Sequence, residues 1–233
     1  MKTICIIQAR LGSQRLPGKM LMKIGELSII EWVILRVKRS KKIDEIFLAT
    51  TNKEEDKLLA DIGIRHNIFV FKGNENNVLS RFIEINKISN ADNIVRVCAD
   101  NPFVSADEID KLINYFLLND FDYACNHKEV LGNKYVDGFG AEIFTKKTLL
   151  KVGKCAFKNE HLEHVTSFIW DNQNQFSISA MKPTKELAYP NLSFDIDIKN
   201  DLIDLRNLVS KYNIKINTNA IDIIKYKNQE LKN

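Results

Sequence analysis

The sequence lacks any apolar run approaching the roughly 18 residues that a membrane-spanning helix needs, so no membrane partner is expected. Cysteine is scarce. Cys5, Cys98, Cys125 and Cys155 form no Cys-x-x-Cys pair, and each lies in a mostly apolar stretch. That pattern predicts reduced core thiols in a cytoplasmic protein. The opening residues, Met1 to Ile7, are too short for a signal peptide and run straight into a polar loop. Charge of one sign is also missing. Lys and Arg number 34 against 30 Asp and Glu, a net charge of +4 that implies no nucleic-acid partner while allowing a local anion site. Repeats, low-complexity segments and clear linkers are absent, which points to one domain. At 233 residues the chain can bury a sizeable core without a staple.

The first half alternates strand and helix. Residues 3–8 form a continuous apolar run, as a strand covered on both faces should. Ser28 and Glu31 make a capping-box pattern before a helix over 29–40. A second strand spans 43–50, and Asn52 with Glu55 is expected to open a helix to about 62. A third strand follows at 68–71, a helix at 77–89, a fourth strand at 93–98, and a helix capped by Ser105 and Glu108. This order predicts a parallel α/β sheet. Later strands are expected at 123–126, 140–144, 176–181 and 192–196. Helices are expected at 160–171, 200–211 and 217–229. The region of about 122–190 reads as a lobe inserted in a single domain spanning 1–233.

In open α/β sheets, ligands bind beyond the carboxyl ends of the strands, where the strand order reverses. The loop after the first strand reads Gln8-Ala9-Arg10-Leu11-Gly12-Ser13-Gln14-Arg15-Leu16-Pro17-Gly18-Lys19. Its three cations and flexible amides suit a polyphosphate. The P-loop pattern fails, because five residues separate Gly12 from Gly18 and Met20 follows Lys19. The Gly-x-Gly-x-x-Gly fingerprint of dinucleotide enzymes is absent. The alternative reading of the loop is a solvated basic turn.

With Met20-Leu21 after it, this loop resembles the opening signature of the cytidylyltransferases that activate acidic sugars. The Kdo and acylneuraminate enzymes belong to that group, and the loop is most similar to the branch named after the spore coat polysaccharide protein SpsF. The resemblance continues in Asn77-Val78-Leu79-Ser80-Arg81-Phe82 and in Val95 to Phe103. It returns in Val136-Asp137-Gly138, Glu142-Ile143-Phe144 and Glu163-His164-Val165-Thr166, and ends in Asp195 to Leu202. It implies a three-layer, Rossmann-like nucleotidyltransferase fold with a mostly parallel sheet and an acceptor and dimerisation lobe. It further implies a Mg2+-dependent homodimer in which an oxygen of an acidic sugar attacks the α-phosphate of CTP and pyrophosphate leaves.

The resemblance assigns roles residue by residue. Ala9, Arg10, Leu11, Gly12, Ser13, Arg15, Lys19, Arg81 and Arg96 would bind the nucleotide. Arg10, Lys19 and Asp100 would serve catalysis. Asp100 and Asp197 would hold the metal, with Asp195 as the alternative to Asp197, because Ile198-Lys199-Asn200 departs from the family's usual Thr-Pro-Glu. Asp137, Glu142 and His164 would meet the acceptor. The bland readings stay open: a turn Asp before Pro102 for Asp100, an internal ion pair for Arg96, an exposed helix residue for Arg81, and strand–turn roles for Asp137 and Glu142. His161 with His164 lacks the further ligands a zinc site needs. Competing functions are transfer to a phosphorylated or non-sugar acceptor, use of another triphosphate, a sugar-nucleotide glycosyltransferase reading Asp195-Ile196-Asp197 as its metal motif, and a non-catalytic nucleotide binder.

Overall fold

Residues Thr3–Gln8 form β1, and its side chains alternate between two hydrophobic layers. Cys5 and Ile7 join one core, Ile4 and Ile6 the other. A strand covered on both faces needs no polar alternation, which explains its unbroken apolar sequence. The computed structural model describes residues 1–127 and 130–231. After β1 come a small hairpin of β2 (Lys23–Ile24) and β3 (Leu27–Ser28), then α1 (Ile29–Val37), β4 (Glu45–Thr51), α2 (Lys57–Arg65), β5 (Phe69–Gly73), α3 (Val78–Ser89), β6 (Asn93–Cys98) and α4 (Ala106–Leu117). The second half supplies β7 (Tyr123–Cys125), β8 (Glu142–Thr145), α5 (Lys146–Cys155), α6 (Asn159–Glu163), α7 (Ser167–Asp171), β9 (Ile178–Ala180), α8 (Lys199–Tyr212) and α9 (Ala220–Glu230).

Seven strands make one sheet in the order β5-β4-β1-β6-β8-β7-β9. The first four are parallel, β8 runs antiparallel to β6 and β7, and β9 runs parallel to β7. Strand order reverses between β1 and β6, so the crevice beyond their carboxyl ends is where a ligand belongs. On one face α1, α4, α8 and α9 bury Ile29, Ile109, Leu205 and Ile223. On the other, α3, α5 and α7 bury Phe82, Leu149 and Ile169. The result is the three-layer α/β architecture, with residues 123–180 adding three strands to the same sheet.

Local chemistry sets the helix starts. Ser28 and Glu31 form the capping box of α1, and Asn77 and Ser105 accept from the backbone N–H groups of Ser80 and Glu108. Four expectations change. α2 starts at Lys57 rather than near Asn52, because Asp56 precedes it with its carboxylate held by the Thr51 hydroxyl and the Leu11 N–H. The expected helix over 160–171 splits into α6 and α7, because His164 leaves helical geometry and Thr166 turns its hydroxyl to Glu142. Residues 192–196 do not join the sheet; Ile196 instead donates its N–H to the Asp100 carbonyl at 2.9 Å. Cys155 is exposed while Cys5 and Cys125 are buried, so the four free thiols are not all core residues. The structure adds α5, a helix beyond those expected, with the Thr145 side chain accepting from the Thr148 N–H at its start. No helix among the described residues is long and apolar enough to cross a membrane.

Gly140 is where a close approach demands glycine. A Cβ there would lie 2.0 Å from the Asn126 carbonyl oxygen. That contact lets the Asn126 carboxamide accept from Ala141 at 2.9 Å and donate to the Glu108 carbonyl at 2.9 Å, stapling the end of β7 to the loop before β8 and to α4. Gly140→Ala is therefore expected to cost about 1–3 kcal/mol of stability by overpacking, read as a lowered urea midpoint at unchanged slope.

Candidate active site

The loop after β1 is folded on itself before any ligand arrives. The Leu11 carbonyl accepts from Ser13 N–H at 2.8 Å and Gly18 N–H at 3.0 Å, while the Leu11 N–H is held by Asp56 at 2.7 Å. Gly18 has φ +69°, a left-handed conformation natural to glycine, and it turns the chain into the short 3-10 segment Lys19–Leu21. The Ser13 hydroxyl accepts from Leu16 N–H at 3.3 Å. The loop is thus a preorganised cradle, and it lines a cavity of about 510 Å3 at the end of β1 and β6.

Lys19 is the centre of that cradle. Its ammonium is buried and donates to the Ile196 carbonyl at 2.6 Å. It also lies 3.3 Å from an Asp100 oxygen and 3.5 Å from an Asp197 oxygen. Asp100 follows β6 and Asp197 precedes α8, so one ammonium joins the loop, the central strand and the late segment. Asp201 fixes the last of these by accepting from the backbone N–H of Asp197 and Ile198, both at 2.8 Å. Arg15 holds Asp197 bidentately at 2.7 and 2.8 Å. Asp195 turns instead to the Ser193 hydroxyl. Of the two late carboxylates it is Asp197 that faces the cations, and the pair does not converge as a glycosyltransferase Asp-x-Asp motif would.

The opposite wall is also cationic. Arg10 meets Glu163 at 2.6 Å. Arg81 is buried, donates to the Ala49 carbonyl at 3.1 Å, and keeps its Nε without a hydrogen-bond partner among the described residues. Burial, and then the nearby charge of Arg10, pulls Arg81 down to about 10. Burial pushes the Cys98 thiol up to about 12, so it lines the cavity as an uncharged group.

Behind this wall lies a buried ion pair, Arg96 with Glu142. Glu142 also accepts from the Tyr123 hydroxyl at 2.6 Å and the Thr166 hydroxyl at 2.9 Å. Burial alone would raise its pKa, but Arg96 and then His127 outweigh burial and bring it down to about 2.

Of the residues singled out in the sequence, Ala9, Arg10, Ser13, Arg15, Lys19, Arg81, Asp100 and His164 line the cavity, and Asp197 closes on its Lys19. Leu11 and Gly12 do not; Leu11 is buried and shapes the loop through its backbone. Arg96 forms the internal ion pair and stands behind the lining. Glu142 is its buried counter-ion, with its oxygens spent on internal donors rather than on a ligand. Asp137 accepts from its own neighbour Gly138 N–H at 2.8 Å and is not among the residues that line the cavity. His161 is buried, pairs with Asp171 at 2.8 Å and stands edge-on to Phe168, so it packs rather than binds metal. Seven further lining residues, Gln8 and Glu163 among them, lie in the motifs named above without an assigned site role. Gln8 carried one legible signal, a polar side chain ending an apolar strand.

A mostly parallel sheet whose first loop cradles anions, with carboxylates from the central strand and a late segment meeting at its lysine, defines a nucleotidyltransferase. The cytidylyltransferase family model matches residues 4–214. The chain is 37% identical over its whole length to an uncharacterized protein of Methanocaldococcus jannaschii, covering 94% of that protein. It is 29% identical to the spore coat polysaccharide biosynthesis protein SpsF of Bacillus subtilis, over 94% of this chain and 91% of that one. A solved cytidylyltransferase of Leptospira borgpetersenii superposes with a TM-score of 0.92 at 26% identity, covering all of this chain and 96% of the other. The chain belongs to the cytidylyltransferase family.

The depressed pKa of Glu142 has a pH signature. Its folded value lies below the ordinary 4.5, so its contribution to stability is full above that value and is lost as pH falls from 4.5 toward 2. Glu142→Gln is expected to be less stable at neutral pH, because Arg96 is left buried without its counter-ion. It is also expected to lose less stability than the wild type across that acid window, as denaturant midpoints measured against pH will show.

Proposed function

We propose that the chain is a CTP-dependent, Mg2+-assisted cytidylyltransferase in which an oxygen of an acidic sugar attacks the α-phosphate of CTP and pyrophosphate leaves. The observation that carries this reading is the Lys19 ammonium held between Asp100 and Asp197 on the cationic loop. Every lining cation of the loop already has a carboxylate partner: Arg10 with Glu163, Arg15 with Asp197, Lys19 with Asp100 and Asp197. A triphosphate therefore replaces anions that are already there, and the cations need little reorganisation to receive it. Arg10, Arg15 and Lys19 hold the phosphates and orient the α-phosphorus for in-line attack.

The donor set fits a hard divalent cation. Asp100 and Asp197 approach a common point from two segments, and Mg2+ prefers one or two carboxylates completed by phosphate oxygens. Those two residues would hold it once Lys19 turns to the phosphates. When bound, the ion supplies neutralisation of the charge that develops on the phosphate oxygens. The acidic sugar is supported by the motifs shared with the Kdo and acylneuraminate branch, and surface polysaccharide synthesis by the similarity to SpsF. His164, on the cavity wall, is the acceptor-side residue this reading retains. The same reading takes the protein as a cytoplasmic homodimer.

Pyrophosphate release from each of the four nucleoside triphosphates with Mg2+, against a panel of acidic sugars and phosphorylated small molecules, tests this directly. CTP with an acidic sugar is expected to be the productive pair. Turnover of a sugar nucleotide without pyrophosphate release would overturn the reading. Asp100→Asn is expected to slow turnover by about 100-fold or more while the protein stays folded, since Asp197 and the Ile196 carbonyl still pair the Lys19 ammonium. A variant keeping more than about a tenth of the wild-type rate removes Asp100 from the chemistry.

A further inference from the structure

Gln8 ends β1 on the face of the sheet that carries Arg96 and Glu142, and it lines the cavity. The Arg96 Nε lies 3.0 Å from the Gln8 Oε1. An arginine Nε–H can only donate, so the carboxamide must turn its oxygen to Arg96 and its NH2 away. Arg96 cannot swing to release it, because Glu142 holds the guanidinium and Tyr123 and Thr166 hold Glu142. The Gln8 amide thus presents two N–H donors, with no hydrogen-bond partner among the described residues, to the space in front of it.

Ala9, Val78, Cys98 and Ala99 add apolar surface to the same cavity. Two residues, about 7 Å of extended chain, separate Gln8 from Arg10 in the same cavity, so a ligand with its phosphates on the loop can reach Gln8 with its nucleoside end. Two lining groups hold donors with no partner among the described residues, the Gln8 amide and the buried Arg81 Nε. They match a pyrimidine edge that presents a ring carbonyl. A sugar ring, whose hydroxyls donate as well as accept, would leave donors unmet there.

We propose that Gln8 is a specificity residue of the nucleotide site, donating its carboxamide N–H to the carbonyl oxygen of the cytosine ring, and that the Arg96–Glu142 pair is the positioning device that sets its direction. This rests on CTP being the nucleotide.

Equilibrium binding of CTP with Mg2+, measured by calorimetry beside inorganic tripolyphosphate, tests the proposal on wild type, Gln8→Glu and Gln8→Met. Gln8→Glu keeps an oxygen for Arg96 but turns the cavity-facing donor into an acceptor. Both variants are expected to bind CTP about tenfold or more weakly, with tripolyphosphate affinity within about twofold of wild type. If Gln8 serves only to satisfy Arg96, Gln8→Glu retains CTP affinity while Gln8→Met loses it, and the proposal fails. Equal losses for CTP and tripolyphosphate also overturn it, because the effect then lies in the fold of the loop. Wild type that binds tripolyphosphate but not CTP overturns the CTP reading itself, an outcome visible before any variant is made.

Discussion

One ammonium group organises the ends of the sheet. Lys19 reaches from the loop after β1 to Asp100 after β6, to the Ile196 carbonyl and to Asp197 before α8. These points lie far apart in the chain, and nothing in their local propensities brings them together. A buried ammonium must be paired and hydrogen-bonded, because its desolvation is costly otherwise. Meeting that demand draws the late segment onto the central strand, and the Ile196 N–H to Asp100 carbonyl bond completes the closure. The preorganised loop would otherwise be an open basic turn. Joined to two carboxylates, it becomes a closed, charge-paired wall of the cavity.

The second buried charge pair supports the site without lining it. Arg96 and Glu142 sit directly opposite in the antiparallel register of β6 and β8. Glu142 also gathers Tyr123 from β7 and Thr166 from the start of α7. Through these contacts the antiparallel half of the sheet, contributed by the second half of the chain, reaches the parallel half that carries the cationic loop. The Gln8 amide and the wall bearing Glu163 and His164 both hang on this network. Arg96 and Glu142, which resemble ligand-binding positions by motif, form an internal ion pair that does not line the cavity.

The legible parts of the fold were those governed by short-range rules. The apolar run of β1, the Ser28–Glu31 capping box, the Asn77 and Ser105 caps and the order of strands and helices each follow from period and capping. The parts that escaped were decided by partners distant in sequence. Asp56 rather than Asn52 precedes α2 because Leu11 and Thr51 claim its carboxylate. Thr166 breaks the expected helix over 160–171 because Glu142 accepts from its hydroxyl. Residues 192–196 have the alternation of a strand, yet Ser193 and Lys19 draw their neighbours into a coil against Asp100.

By itself the sequence determined the α/β class, the strand that bears the loop, and the three cations the loop carries, because strand period, caps and charge spacing are local properties. Its motifs also pointed to the cytidylyltransferases, and the family match bears this out. Only the tertiary structure decided which of two neighbouring aspartates meets the cations, which arginine faces the cavity and which stands behind it, and which way the Gln8 amide points. The physical reason is the same in each case. A buried charge or donor settles where its partner is, and that partner lies tens of residues away in the chain.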